Sequence, residues 1–153
     1  MKHVYDTIVI GGGHAGVEAS MIASKTGCQV ALVSMDKQSI GRMSCNPAIG
    51  GVAKGQIVRE IDILGGLMGK VSDGSGLQFK VLNKSKGRSV WSPRAQIDKR
   101  VYEKKMSKLV FGDNNIDFIK GEVVSLSIKN GTIAGLFLRT GELINSKTVV
   151  VTC

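Results

Sequence analysis

Three short apolar runs punctuate the chain, and each reads as a buried strand. Tyr5–Ile10 is rich in β-branched residues and ends at a glycine cluster, and Gln29–Ser34 and Thr148–Thr152 have the same character. Between the first two runs, Ala15, Ala19, Ile22 and Ala23 recur at helical spacing as far as Gly27, a natural helix stop. Strand, glycine turn, helix and strand within about 30 residues make a βαβ unit. Its crossover is expected to be right-handed.

Past residue 37 the pattern changes. Ile57, Val58, Ile61 and Leu64 mark an amphipathic helix stopped by Gly65-Gly66, inside what otherwise reads as an irregular, glycine-rich excursion over about residues 37–92. Pro93 or Arg94 then opens another helix, with Ile97, Val101 and Leu109 on its apolar side and an end near Gly112. Ile116–Lys120, Val123–Ile128 and Thr132–Arg139 read as strands, and Asn130-Gly131 is a hairpin turn signal between the last two. The pattern predicts an α/β fold: a Rossmann-like, parallel-sheet domain over residues 1–153 with an antiparallel β excursion. A parallel strand of this kind normally feeds an element that covers the sheet. None follows residue 153, so the chain is expected to be the N-terminal part of a longer protein.

Composition narrows the class. The chain has 153 residues, 42% of them apolar, enough for a real core. No stretch of 18 apolar residues exists, so no membrane span is expected. The run Ile8–Ile10 is too short for a signal peptide, and Glu18 interrupts the segment after it. Three cysteines, Cys28, Cys45 and Cys153, form no disulfide framework, which suits a reducing cytoplasm. No metal site is expected. The formal charge of +9 favours an anionic partner. Ten of the 21 cations lie between Lys80 and Lys108, opposed there only by Asp98 and Glu103. Lys99, Arg100, Lys104 and Lys105 are expected phosphate contacts, although a charge run of this kind is more often a solvated face.

Chemistry enters with the glycines. Gly11-x-Gly13-x-x-Gly16, between strand and helix, fits the dinucleotide fingerprint in its required context. The first glycine permits the turn, the second lets backbone approach a pyrophosphate, and the third lets helix and strand pack closely. The fingerprint expects an acid at the end of the second strand to bind a ribose. Ser34 stands there instead, with Asp36 two residues on, and either could hydrogen-bond the sugar. The antiparallel excursion after Asp117 is the habit of two-dinucleotide flavoproteins and points to FAD. A second glycine-rich stretch, SCNPAIGGVAKG (Ser44–Gly55), looks like another backbone nest opening a helix, with Cys45 just before it. Near a helix N-terminus and cations, Cys45 could be an activated thiol; it could equally be a small buried filler.

The stretches IVIGGGHAGVEA, GRMSCNPAIGGVAKG, EIDILGGLMG and SPRAQIDKRVY resemble those of the MnmG (GidA) family of tRNA modification enzymes. SCNPAIGG is far more specific than the glycine fingerprint. The resemblance implies an FAD protein that, with the GTPase MnmE, installs an aminomethyl or carboxymethylaminomethyl group at C5 of a wobble uridine. It also implies methylene-tetrahydrofolate as carbon source, NADH as reductant and a homodimeric full-length form. On the same basis Gly11, Gly12, Gly13, His14, Ala15 and Gly16 match the FAD pyrophosphate turn. Val123 matches a position whose backbone meets the adenine end, and Cys45 matches a catalytic cysteine. Lys86, Arg94, Gln96 and Asp98 fall in stretches typical of the family. Arg88 departs from it, standing where proline is usual after SKG. The alternatives are a folate- and FAD-dependent tRNA uracil methyltransferase, a generic FAD oxidoreductase and a non-catalytic nucleotide-binding module.

Overall fold

The first apolar run becomes a strand in the computed structural model, which describes residues 4–44 and 46–152. In chain order the elements begin with β1 (Val4–Ile10), α1 (His14–Lys25), β2 (Val30–Ser34), β3 (Ala48–Gly50), α2 (Lys54–Ile63), α3 (Met68–Asp73) and β4 (Gly76–Leu82). They continue with β5 (Ser92–Ile97), α4 (Lys99–Phe111), β6 (Ile116–Lys120), β7 (Val123–Lys129), β8 (Thr132–Leu138) and β9 (Leu143–Val151). The chain forms two units. One joins the segment ending at Arg42 to the segment beginning at Ser107, and the other is Met43–Met106.

In the first unit the sheet order is β6-β2-β1-β9-β8-β7. β6, β2, β1 and β9 run parallel, while β9, β8 and β7 form an antiparallel meander. Ile8, Ala31 and Val33 pack with Leu136, Leu138 and Ile144 of the meander in one core cluster. The intervening Val9, Val30 and Leu32 are also fully buried, and α1 lies against β1 and β2. Burial on both faces explains why these strands read as continuous apolar runs rather than alternating ones. Each fully buried Val, Leu or Ile among them contributes about 1.5–3 kcal/mol of transfer free energy. Asn130 and Gly131 both take positive φ, 51° and 74°, as the two-residue β7–β8 turn requires.

The buried face of α1 differs from the alanine stripe read in the sequence. Gly16, Val17, Ser20, Met21 and Ser24 are buried, whereas Ala15 and Ile22 are exposed. Small side chains let the helix lie close to the sheet, and Ser24 meets its polar need by donating to Asp113 Oδ1 at 2.7 Å.

The second unit replaces the expected irregular excursion with regular structure. β3, β5 and β4 form an antiparallel sheet in that order, and α2 and α3 pack on it. The α2 stripe is only partly buried: Val58 is inside, while Ile57 and Leu64 are exposed. Pro93 and Arg94 do not open a helix but lie in β5. Pro93 sits just beyond the last β3 pairing, Gly50 with Arg94, so its missing N–H costs no ladder bond on that side. The helix begins instead after Asp98, whose Oδ1 accepts the Val101 amide at 3.0 Å as an N-cap. Its buried stripe is Tyr102, Met106 and Val110, while Val101 and Leu109 are about two-fifths exposed (39% and 42%).

Candidate functional site

The turn between β1 and α1 gives the glycines separate tasks. Gly11 takes φ +108°, a region that side chains avoid, and a Cβ there would lie 2.7 Å from Thr152 Oγ1. A Cβ on Gly16 would fall 1.9 Å from the Gly11 carbonyl oxygen, so only glycine lets the helix seat on the turn. Gly12 is held against Ile40 and Ser34, and its carbonyl accepts the Gly41 amide at 2.8 Å. Gly13 differs: a Cβ there would meet nothing within 4 Å. Gly13 is the N-cap of α1, and no side chain hydrogen-bonds the cap. The backbone at the helix start therefore faces open space with its positive dipole end, the geometry that receives a phosphate.

The other expected residues of this unit gather at the same edge of the sheet. His14 and Ala15 are the first two residues of α1. Ser34 ends β2, with its hydroxyl 3.1 Å from Ser39 Oγ and 3.1 Å from a Cβ built on Gly12. Asp36, the other ribose candidate, uses Oδ1 to accept the Gln38 amide at 2.9 Å and caps its own short turn. Each of the two thus holds one local hydrogen bond. The Ser34 carbonyl accepts the Gly121 amide at 3.0 Å, which ties the strand end to the segment leading into Val123. Val123 starts β7 and packs on the core cluster. Sequence reasoning misses Thr152, whose hydroxyl donates to the Ile10 carbonyl at 2.7 Å and closes the turn from the far end of the chain. The only sequence signal for it is a small polar residue at the end of an apolar run.

Cys45, the expected catalytic residue, lies outside the described residues. The glycines that follow it are described, and they act differently from a second nest. A Cβ on Gly50 would lie 2.0 Å from the Pro93 carbonyl oxygen, and the Gly51 amide donates to that oxygen at 2.9 Å. Gly55 also approaches it, at 2.9 Å from an added Cβ. These glycines pack α2 against β5, and the Gly51 N–H is already used. Beside this joint is a cavity of about 770 Å³ whose lining includes Val58, Asp62, Phe79, Val81 and Ala95. Its volume is in the range of small-molecule sites.

The basic segment is not uniform. Lys105 Nζ donates to the Gly74 carbonyl at the C-terminal end of α3, and Lys99 pairs with Glu103 at 3.9 Å. Arg88 opens a short helical turn after Gly87 (φ +96°), and its guanidinium lies 5.8 Å from the Trp91 ring centroid. Trp91 Nε1 donates to the Lys84 carbonyl at 3.2 Å. Lys86 is exposed, whereas Arg94, Gln96 and Asp98 are half-buried along β5 and the start of α4. Among the described residues no cluster of His, Cys, Asp and Glu could hold a metal, and no helix is long and apolar enough to cross a membrane.

A glycine turn of this form, at the mouth of a parallel sheet that continues into an antiparallel meander, defines a Rossmann-like fold of the two-dinucleotide flavoprotein type. The family model described as "Glucose inhibited division protein A" matches residues 6–153, and the chain belongs to this family, also called MnmG or GidA. The tRNA uridine 5-carboxymethylaminomethyl modification enzyme MnmG of Endomicrobium trichonymphae is 47% identical over 99% of this chain and 26% of its own length. The enzyme of the same name from Aquifex aeolicus is 49% identical over 97% of this chain and 24% of its own. The crystal structure of Aquifex aeolicus GidA superposes with a TM-score of 0.93 at 48% identity, over 98% of this chain and 25% of that one. The chain thus spans about a quarter of the length of these relatives. A probable FAD-dependent monooxygenase from Pseudomonas aeruginosa shares the fold at 13% identity, with a TM-score of 0.63 over 96% of this chain and 42% of its own.

Proposed function

We propose that this chain is the FAD-binding portion of an enzyme that modifies C5 of the wobble uridine in tRNA. The observation that carries the reading is the open backbone at Gly13, set on the first turn of α1 in a chain of the GidA family. Gly11, Gly12, Gly13, His14, Ala15 and Gly16 form the pyrophosphate turn, Ser34 binds the ribose, and the Val123 backbone meets the adenine end. When bound, FAD supplies hydride transfer to a carbon centre.

Cys45 is the proposed nucleophile. C5 of uracil is a weak nucleophile, and addition of the Cys45 thiolate at C6 raises the electron density at C5. After C5 has bonded to an electrophilic one-carbon unit, loss of the C5 proton expels the thiolate and restores the ring. In the family-length enzyme the carbon comes from methylene-tetrahydrofolate and the reducing equivalents from NADH. The GTPase MnmE is the partner, the enzyme is a homodimer, and the reaction takes place in the cytoplasm.

The test is single-turnover tRNA modification by the family-length enzyme with its GTPase partner. Cys45→Ser should keep FAD and the fold while modification falls by several orders of magnitude. Near-normal turnover by a flavin-loaded serine variant would remove Cys45 from the mechanism. Absence of flavin from the wild-type protein would remove the whole reading.

A further inference from the structure

On the sheet of the second unit, Lys80 of β4 and Arg94 of β5 are direct cross-strand partners, with Gly50 of β3 completing the row. Opposed residues of an antiparallel pair share one face, with Cβ atoms about 4.5–5.5 Å apart. Two like charges in that relation destabilise the sheet they sit on. No carboxylate among the described residues forms an ion pair with either head group. Asp62 and Asp73 line the same cavity as Lys80 and Arg94 but pair with neither. Two residues along, on the same face, Gln78 stands opposite Gln96. Arg94 and Gln96 are half-buried, which limits their freedom, while Lys80 and Gln78 are exposed. The face is therefore a pair of cations without a direct ion-pair partner among the described residues, followed, about 7 Å along the strands, by a pair of amides.

We infer that this row is a seat for single-stranded RNA, with a backbone phosphate between Lys80 and Arg94 and a base edge against Gln78 and Gln96. The inference rests on the tRNA reading above and adds the surface that would engage the substrate. A phosphate resolves the like-charge conflict, and the planar guanidinium of Arg94 can present two parallel N–H groups to it. Primary amides carry both a donor and an acceptor and can pair with a nucleobase edge. Unstacked bases of loops are what sequence-specific RNA sites engage. Gly50 adds no charged side chain at the third position of the row, where the β5 backbone lies close against it.

The experiment measures anisotropy of a labelled anticodon stem-loop RNA bound to the purified chain across a salt series, for wild type, Arg94→Gln, Lys80→Gln and the double variant. Lys129→Gln, an exposed cation on β7, is the control. Each single variant should weaken binding about tenfold and lower the slope of log affinity against log salt by about 0.7, the double by about 1.4, and the control by neither. Without RNA, Arg94→Gln should melt at a higher temperature than wild type, because one of the opposed charges is gone; a residue held there for packing would melt lower. A wild-type salt slope in the double variant overturns the seat and leaves the tRNA reading standing. Failure of the wild-type chain to bind the stem-loop overturns the seat, while flavin content, read separately, still tests the cofactor assignment. Full displacement of RNA by inorganic phosphate at equal phosphate concentration would make this a small-anion site and overturn the RNA assignment.

Discussion

Thr152 is bound to Ile10 twice: its hydroxyl donates to the Ile10 carbonyl at 2.7 Å and its amide donates to the same oxygen at 3.0 Å. That oxygen immediately precedes Gly11, so the end of β9 fixes where the glycine turn begins. Thr152→Val keeps the shape and deletes the hydroxyl's bonds, the short one to Ile10 and a longer one to the Gly11 carbonyl at 3.4 Å. The expected loss is about 1 kcal/mol of stability, with weaker flavin retention because the turn is less constrained. Thermal melts and flavin absorbance of the purified variant read both.

Gly13 and Gly16 should respond oppositely to the same added methyl group. At Gly13 the Cβ enters open space at φ −69°, so Gly13→Ala should leave the melting temperature within a few degrees of wild type. It should reduce FAD occupancy, and Gly13→Val should abolish it. At Gly16 the Cβ would stand 1.9 Å from a backbone oxygen, and Gly16→Ala should cost about 1–3 kcal/mol or more by forcing helix and turn apart. A flavin-loaded, normally folded Gly13→Val protein would refute the assignment of the turn.

Alkaline pH probes the rim of the sheet. Tyr5 donates its hydroxyl to Asp117 Oδ2 at 2.9 Å. Partial burial, this bond and the nearby carboxylate charge raise its pKa from 10.0 to about 12. The folded state thus holds the Tyr5 proton more tightly than the unfolded chain. The stabilisation is complete below pH 10 and is lost as pH rises toward 12. Denaturant titrations at several pH values should show that loss in wild type, and Tyr5→Phe should flatten it.

The four cations of α4 expected to meet phosphate should separate into two groups: Lys99, paired with Glu103, and Lys105 are engaged within the fold, while Arg100 and Lys104 are not. Lys105 is committed to the end of α3, where a cation complements the helix dipole by about 0.3–1 kcal/mol. Lys105→Met should lower stability. Arg100 and Lys104 are exposed and have no ion-pair partner among the described residues. Charge reversal of both should leave stability nearly unchanged and lower the salt slope of RNA binding. Equal effects of Lys105→Met and the Arg100/Lys104 reversal on RNA affinity would contradict this division.

The parallel part of the fold is legible in the sequence because it is written locally. A β-branched run, a glycine cluster and a second run each signal one element, and in the antiparallel meander Asn130-Gly131 likewise marks its own turn. Helix faces are less legible. α1 buries Ser20 and Ser24 where alanines suggest the contact, because closeness to the sheet rewards small residues of either polarity. The second unit is the least legible. β4 is an edge strand on which Leu77, Phe79 and Val81 remain exposed, so its alternation carries no burial signal. Pro93 suggests a helix start, yet its contribution comes from its carbonyl, which receives the Gly51 amide, and not from its ring. The glycine turn is plain as a motif, but the division of labour between Gly13 and Gly16 depends on how closely the Gly11 carbonyl approaches the helix, which the spacing alone does not reveal.

The bond from Thr152 to Ile10 spans 142 residues of sequence. During synthesis at about 5–20 residues per second, the glycine turn therefore waits roughly 7–30 s for the strand that completes it. Until then β1 lacks its β9 neighbour, and the turn lacks the hydroxyl that fixes its entry. A turn able to receive a ligand is thus a late event in the life of the nascent chain, and it reports that β1 and β9, adjacent in the sheet though far apart in sequence, have already paired.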